Sequence, residues 1–308
     1  MKSIYEYLTN CIASKAIPIE QFSNDSTDLL YFNEQITNLP SYIGRLSKLT
    51  RLKCTHTNVI TLPESIGSLT NLIHLICNNN KLKSLPESIG SLVNLTYLYC
   101  NNNNLTSLPD SIGSLTKLIK LSCANNRLQS LPKSIGLLEN LMNLYCENNQ
   151  LTTLPTELGN LTNLTILSCS NNILESVPKS IGTLTNLTTL LCDHNQLTTL
   201  PAELGNCRRL YTLYYPNNPI LFIPINLQRL VDRIENHQDI YGDGQNVHNH
   251  EIQHNTINQR KNVEQVVKSA PSEDEVWDIN DITLIDTRPN QFLRRRKHAY
   301  MALTTIDN

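Results

Sequence analysis

No stretch of 18 apolar residues occurs anywhere in this sequence of 308 residues, so no membrane-spanning helix is expected. Glu6 and Asn10 fall where a secretory leader needs an unbroken apolar segment, and none is expected there either. Charge of one sign is also lacking. A net charge of -2 gives the chain no overall attraction for nucleic acid or for an anionic membrane surface. The short strings that carry catalysis are missing as well: no GxxxxGK[ST] phosphate loop, no GxSxG elbow, no HExxH zinc helix and nothing kinase-like. No enzymatic activity, cofactor or small-molecule substrate is therefore expected.

What the chain has instead is a strict period. Cysteine returns at Cys54, Cys77, Cys100, Cys123, Cys146, Cys169 and Cys192, each 23 residues after the last. A Leu-Pro step keeps the same interval from Leu39-Pro40 to Leu200-Pro201, with Val177-Pro178 and Ile223-Pro224 in phase. One structural unit is being stacked in register along most of the chain.

Each column of that alignment has a physical reading. In the run around Leu75, alternate residues of a strand point to opposite sides, so Leu75 and Cys77 face one way and His74, Ile76 and Asn78 the other. Leu72, Leu82, Leu85, Ile89 and Leu92 fill the inside of a coil that cannot bury its apolar surface alone, and only neighbouring coils can cover it. After the strand the backbone must turn sharply. The next column, Asn80, Asn103, Asn126, Asn149, Asn172, Asn195 and Asn218, can satisfy the amides and carbonyls left there, coil to coil, and reads as scaffold. Thr57 and Glu34 stand where the first coils should carry Asn, which implies a partly solvated end to that ladder. Gly67, Gly90, Gly113, Gly136, Gly159, Gly182 and Gly205 mark a turn where a side chain would be unwelcome.

Nine cysteines would suggest disulfides in a small secreted framework, but their placement argues otherwise. Neighbouring parallel strands lie about 4.8 Å apart with side chains aligned, whereas a disulfide needs Cβ atoms nearer ~3.8 Å in a turned geometry. A straight ladder also spreads thiolates that zinc would need to converge. Cys207 falls in the column of Leu69, Leu92, Leu115 and Leu184, and only Cys11 lies outside the repeat frame. Buried free thiols in a reducing, intracellular compartment are expected.

The string Leu72-x-x-Leu75-x-Cys77-x-x-Asn80-x-Leu82-x-x-Leu85-Pro86-x-x-Ile89-Gly90-x-Leu92 resembles the typical intracellular leucine-rich repeat, with Cys where that family's third strand position usually has Leu. The LPxxIGxL half looks most like the Ras-group proteins of animals and plants and their relatives in bacteria and giant DNA viruses. Heavy use of Asn and Ile points the same way, to an AT-rich source genome. The resemblance implies an α/β repeat solenoid, a horseshoe with a parallel β-sheet on the concave face and irregular or short helical turns on the convex face. It implies a non-catalytic protein-interaction module, here expected as a cytoplasmic monomer.

Three regions follow. Residues 1–28 read as a capping helix, with Ile4, Tyr7, Leu8, Cys11 and Ile12 at helical spacing. Residues 29–230 carry about nine repeats. Residues 231–308 form a polar tail, with Val231 and Ile234 continuing as a helix that closes the stack.

Function is expected on the concave face, whose residues vary while the core columns do not. One column reads Arg51, His74, Tyr97, Lys120, Asn143, Ile166, Thr189, Thr212 and the next Lys53, Ile76, Tyr99, Ser122, Tyr145, Ser168, Leu191, Tyr214. His74, Tyr97, Tyr99, Lys120, Tyr145, Ile166, Leu191 and Tyr214 are the candidate partner-binding residues, since aromatic and cationic side chains together mark protein-binding hot spots. Ordinary β-forming tyrosines on a half-solvated sheet are the competing explanation. The Asn79 column, interrupted by His56 and His194, is expected to solvate the turn.

The tail holds rival features. His250 and His254, four apart on a helix, with His248 nearby and Glu251 between, form a weak candidate metal site. From Glu273 to Asp286 six acids occur without a base around Trp277, the sole tryptophan, and from Arg288 to Lys297 five bases occur without an acid. Trp277 either pins the tail onto the solenoid or serves as a docking motif. Arg294, Arg295, Arg296 and Lys297 resemble a nuclear-import cluster, which would add a nuclear location. An adaptor whose tail recruits a signalling or ubiquitin-ligase factor is the alternative function. The nucleophilic Cys that bacterial repeat-containing ligases place after their repeats has no counterpart beyond Cys207.

Overall fold

Each coil is built from three local instructions, and the middle coils show them plainly in a computed structural model that describes residues 30–31 and 37–238. First comes a three-residue strand such as Lys120–Ser122, whose Leu121 is fully buried between a partly solvated Lys120 and the small, buried Ser122. Next the chain reverses through a left-handed residue, Asn125 at φ 53°. Proline then starts a single 3-10 turn: Pro132, at φ -67° and ψ 147°, precedes Lys133–Leu137, and the Ile135 N–H donates to the Pro132 carbonyl at 3.0 Å. Proline's fixed φ and missing N–H suit that first position.

The left-handed position explains a column that turn solvation alone does not. His56, Asn79, Asn102, Asn125, Asn148, Asn171, His194 and Asn217 all have φ between 50° and 58°. Among non-glycine residues, Asn and His tolerate this region best.

Stacking the coils pairs nine strands in parallel and in sequence order. They are β1 (Leu30–Tyr31), β2 (Arg51–Lys53), β3 (His74–Ile76), β4 (Tyr97–Tyr99), β5 (Lys120–Ser122), β6 (Asn143–Tyr145), β7 (Ile166–Ser168), β8 (Thr189–Leu191) and β9 (Thr212–Tyr214). From β2 to β9 the register does not slip and residues 23 apart face each other, as in His74 opposite Tyr97 opposite Lys120, whereas β1 meets β2 at an interval of 22, Leu30 opposite Leu52. The result is the solenoid that the sequence predicts, with the sheet on one face and short 3-10 turns on the other.

Two side-chain types hold coil to coil. The Asn126 amide nitrogen donates to the carbonyls of Cys123 and Ala124 in its own coil and of Cys100 in the one before, at 3.0 to 3.1 Å. Its oxygen accepts the Leu105 N–H at 2.9 Å. Buried backbone groups that would otherwise lack partners are thereby matched. Asn103, Asn149, Asn172 and Asn195 repeat the pattern in buried positions, whereas Asn80 and Asn218 at the ends are half-buried. Thr57 stands in for Asn in the first described rung, and its N–H and hydroxyl both donate to Asn80 Oδ1.

Glycine works on the opposite face, through space rather than through φ. A Cβ on Gly113 would lie 2.6 Å from the Ser134 carbonyl oxygen of the next coil. The glycine column thus allows the 3-10 turns to pack backbone to backbone. Gly205 departs from this, because no coil follows: its Cβ would have nothing nearer than 3.6 Å. Instead the helix α1 (Ile225–Gln238) covers the last coil, burying Leu227, Leu230, Val231 and Ile234. Arg233 donates to the Leu210 carbonyl at 3.1 Å. The helix runs across the 230/231 boundary drawn from the repeat pattern, so the closing cap includes residues on both sides of it.

The expected helix over 1–28, Cys11, Glu34, the histidines His248, His250 and His254, Trp277 and the Arg294–Lys297 cluster lie outside the described residues.

Two substitutions separate these packing terms. Gly113→Ala should destabilise by about 1 to 3 kcal/mol through backbone overpacking, whereas Gly205→Ala should stay within about 0.5 kcal/mol of the parent. Leu121→Ala, in mid-stack, should cost about 2 to 5 kcal/mol by chemical denaturation.

Candidate functional site

With Leu121 and its equivalents committed to the core, the flanking strand residues are left on the concave face. Strands β3 to β6 join His74, Tyr97, Tyr99, Lys120 and Tyr145 into one network. The Tyr97 ring stacks on the His74 ring with centroids 4.7 Å apart and planes within 9°. Tyr99, two residues on, runs parallel to Tyr97 at 6.5 Å. The Lys120 ammonium lies 5.4 Å from the centroid of Tyr99 and 4.8 Å from that of Tyr145.

Ser122 makes the last contact geometrically open. It sits in register between Tyr99 and Tyr145, and being small it leaves a slot that Lys120 spans. Its hydroxyl donates to Asn101 Oδ1 at 3.3 Å and is itself buried. Stacking and cation–π contacts of this kind contribute roughly 0.5 to 2 kcal/mol each. They also hold rotamers that would otherwise have to be ordered when something binds.

Protonation in the patch follows from its surroundings. Burial, and then the positive charge of Arg51, push the His74 imidazole below its ordinary pKa, so at neutral pH it stacks as the uncharged ring. Burial, and then Tyr97, push the Tyr99 hydroxyl up, which keeps it protonated and able to donate. The positive charge is left to Arg51, Lys53 and Lys120.

The other candidates are on the same face and outside this network. Ile166 lies on β7, Leu191 on β8 and Tyr214 on β9, all half-buried. Successive strands are about 4.8 Å apart, which sets Tyr214 roughly 19 Å from the Lys120 strand. These three extend the face without joining the aromatic cluster.

The alternation that sets Asn78 on the presented face continues past each Cys into a third concave column. It contains Asn101, Ala124, Glu147, Ser170 and Asp193. The Ser170 hydroxyl donates to Asp193, whose other oxygen lies 2.7 Å from His194 Nδ1. Glu147 Oε2 is buried and has no hydrogen-bond partner among the described residues. The concave face therefore carries its cations on β2 and β5, and its acids beyond the ends of β6 and β8.

A shallow groove of about 710 Å³ runs along the edge where the chain enters the strands, past Thr96, Ile119, Met142 and Thr188, with Lys117 and Arg209 towards its two ends. Its asparagine amides are committed to the scaffold: Asn140, Asn163 and Asn186 donate to the Thr116, Glu139 and Thr162 carbonyls. Little is left there to fix a ligand's orientation.

Beneath the patch the thiols form a ladder. Cys54 to Cys192 and Cys207 are free and buried. Cys100 Sγ donates to the Ser122 carbonyl at 3.3 Å, and Cys123 Sγ to the Tyr145 carbonyl at 3.4 Å. Burial pushes Cys54, Cys100 and Cys169 up to about 12, and Cys207 to about 11. Such thiols are poor nucleophiles and poor metal ligands. No group of three metal-ligating side chains occurs among the described residues, and no helix among them is long and apolar enough to cross a membrane.

Comparison with known proteins agrees with the geometry. Residues 79–173 match the family described as "Leucine-rich repeat region", and residues 186–207 the "Leucine Rich Repeat" family. A leucine-rich repeat protein of Leptospira interrogans is 30% identical over 75% of this chain and 62% of its own, with a TM-score of 0.60. The plant peptide hormone receptor RGFR1, solved in complex with RGF2, is 35% identical over 60% of this chain and 31% of its own, with a TM-score of 0.56. The functional domain of InlJ from Listeria monocytogenes, which includes a cysteine ladder, is 33% identical over 59% of this chain and 37% of its own, with a TM-score of 0.52. This chain thus spans under two thirds of the length of each. None of the curated proteins matches it. The fold is the leucine-rich repeat solenoid.

Two outcomes follow for the thiols. In the native protein the eight cysteines from Cys54 to Cys207 should resist alkylation at pH 8 and react only on unfolding, as counted by mass spectrometry. Their raised pKa values also link stability to pH. The contribution is fully present below the ordinary thiol value of 9.0 and is lost as pH rises from there towards about 12, so the urea midpoint should fall steadily across that window.

Proposed function

We propose that the protein is a non-catalytic, intracellular interaction module that holds a protein partner against its concave sheet, with the cluster of His74, Tyr97, Tyr99, Lys120 and Tyr145 as the anchor. The single observation that carries this reading is the Lys120 ammonium poised between two tyrosine rings. The cluster presents broad apolar faces, hydroxyl donors and a cation in one fixed arrangement. Residues of these types dominate binding energy at protein interfaces. Leucine-rich repeat folds typically serve protein–protein interaction, and the solved complex of RGFR1 with RGF2 is a peptide-binding instance among the similar structures.

The eight buried, unpaired thiols support a reducing compartment. The 23-residue LPxxIGxL period supports a Ras-group-like repeat type. Ile166, Leu191 and Tyr214 would extend the interface towards the last coils.

Replacing Tyr97, Tyr99 and Tyr145 together by Ala should abolish capture of partners from cell extract while leaving the circular dichroism spectrum close to the parent, because all three point away from the core; the unfolding midpoint should fall only by the lost stacking and cation–π contacts. Loss of three such anchors should weaken binding by at least about 100-fold. Undiminished capture by the folded triple variant would rule the patch out.

A further inference from the structure

We propose that residues 273–286 of this same chain dock on the basic, tyrosine-rich end of the concave sheet, so that tail and partner compete for one surface. The inference rests on reading that face as a protein-binding surface, and it names the first ligand the face would meet.

Charge complementarity is the first argument. Across β2 to β5 and the residues just beyond them, the concave columns hold Arg51, Lys53 and Lys120 and no acid. Residues 273–286 hold six acids and no base. Carboxylates meeting guanidinium and ammonium groups form charge-assisted hydrogen bonds. Trp277 sits among those acids, and its indole matches the stacked rings of Tyr97 and Tyr99 and the neighbouring ammonium.

Order along the chain is the second. The five bases of Arg288–Lys297 follow the acidic block directly. On the sheet, Glu147 and Asp193 follow the basic end, and Glu147 Oε2 is buried without a hydrogen-bond partner among the described residues. A segment laid from β2 towards β9 would set acid against base and then base against acid. The opposite direction would oppose like charges.

Reach is the third. β2 and β9 are separated by seven strand intervals, roughly 34 Å at the parallel spacing. The 34 residues between Gln238 and Glu273 can extend to about 110 Å, so the acidic block can reach β2 from the end of α1.

The sole tryptophan makes the contact readable in the full-length protein. Zero-length carbodiimide coupling should join carboxylates of 273–286 to Lys53 or Lys120, and a mixture of isotopically labelled and unlabelled protein should show these links within one chain. Acrylamide quenching of Trp277 should be weak at low salt and should rise about threefold in roughly 1 M salt, where surface ion pairs are screened. The Lys53→Glu/Lys120→Glu variant should show the same rise at low salt. Links between labelled and unlabelled chains, links to Lys117 or Lys133 off the concave face in equal yield, or quenching that neither salt nor the variant changes would overturn the proposal. Failure here is distinct from failure of the function itself. An undocked tail, together with loss of external capture on tyrosine replacement, removes only this inference, whereas a docked tail with capture unchanged by that replacement removes only the partner site.

Discussion

One asparagine per coil sets the terms for the rest of the molecule. Asn126 ties the turn after β5 to the coil before it through both ends of a single amide, donating to Cys100 and accepting from Leu105. Because those carbonyls and N–H groups are buried, leaving them unmatched would cost about 1 to 3 kcal/mol each. The amide satisfies them only if the next coil arrives at one height and one phase. Period, register and sheet therefore follow from one geometric demand, and the glycine column permits it on the opposite face, where a Cβ at Gly113 would meet the Ser134 backbone.

Uniform packing inside frees the surface to vary. Every coil spends its core Leu, Ile and Cys columns on its neighbours and the Asn126 column on the turn, so none of these can be exchanged without disturbing the stack. The two strand positions that face outward carry no such duty. At Tyr97, Tyr99, Lys120 and Tyr145 they have filled with rings and a cation that order one another. The ladder beneath contributes indirectly, since Cys100 and Cys123 bond the carbonyls of Ser122 and Tyr145, the residues that shape the slot under Lys120.

The ends obey a different rule, because a terminal coil has one neighbour instead of two. At the first described rung Thr57 replaces Asn, and its N–H and shorter side chain both reach forward to Asn80. At the other end α1 closes the stack with a helix face, and a Cβ on Gly205 would meet Asn226 and Leu227 only at ordinary contact distances of 3.6 and 3.7 Å. A helix can cap a coil without matching its backbone groups one by one. The Arg233 bond to the Leu210 carbonyl meets part of the remaining demand.

The solenoid was legible in the sequence because repetition averages out local ambiguity: a three-residue strand has no signal of its own, but seven cysteines at one interval do. The same averaging hides what occurs once. The Asn79 column was visible as a repeat, yet its cause, a left-handed backbone, needs φ and not composition. Column arithmetic brought Tyr97, Tyr99, Tyr145 and Lys120 together, since register alone decides which residues adjoin. It did not show the slot at Ser122, because the meaning of a small residue depends on which long side chain crosses it. Nor did it reveal the acids Glu147 and Asp193, which lie beyond the strand that the eye reads as ending at Cys. Scaffold positions repeat because every coil poses the same packing problem, while a binding surface is made where one coil differs from the next, so periodicity bounds the site without composing it.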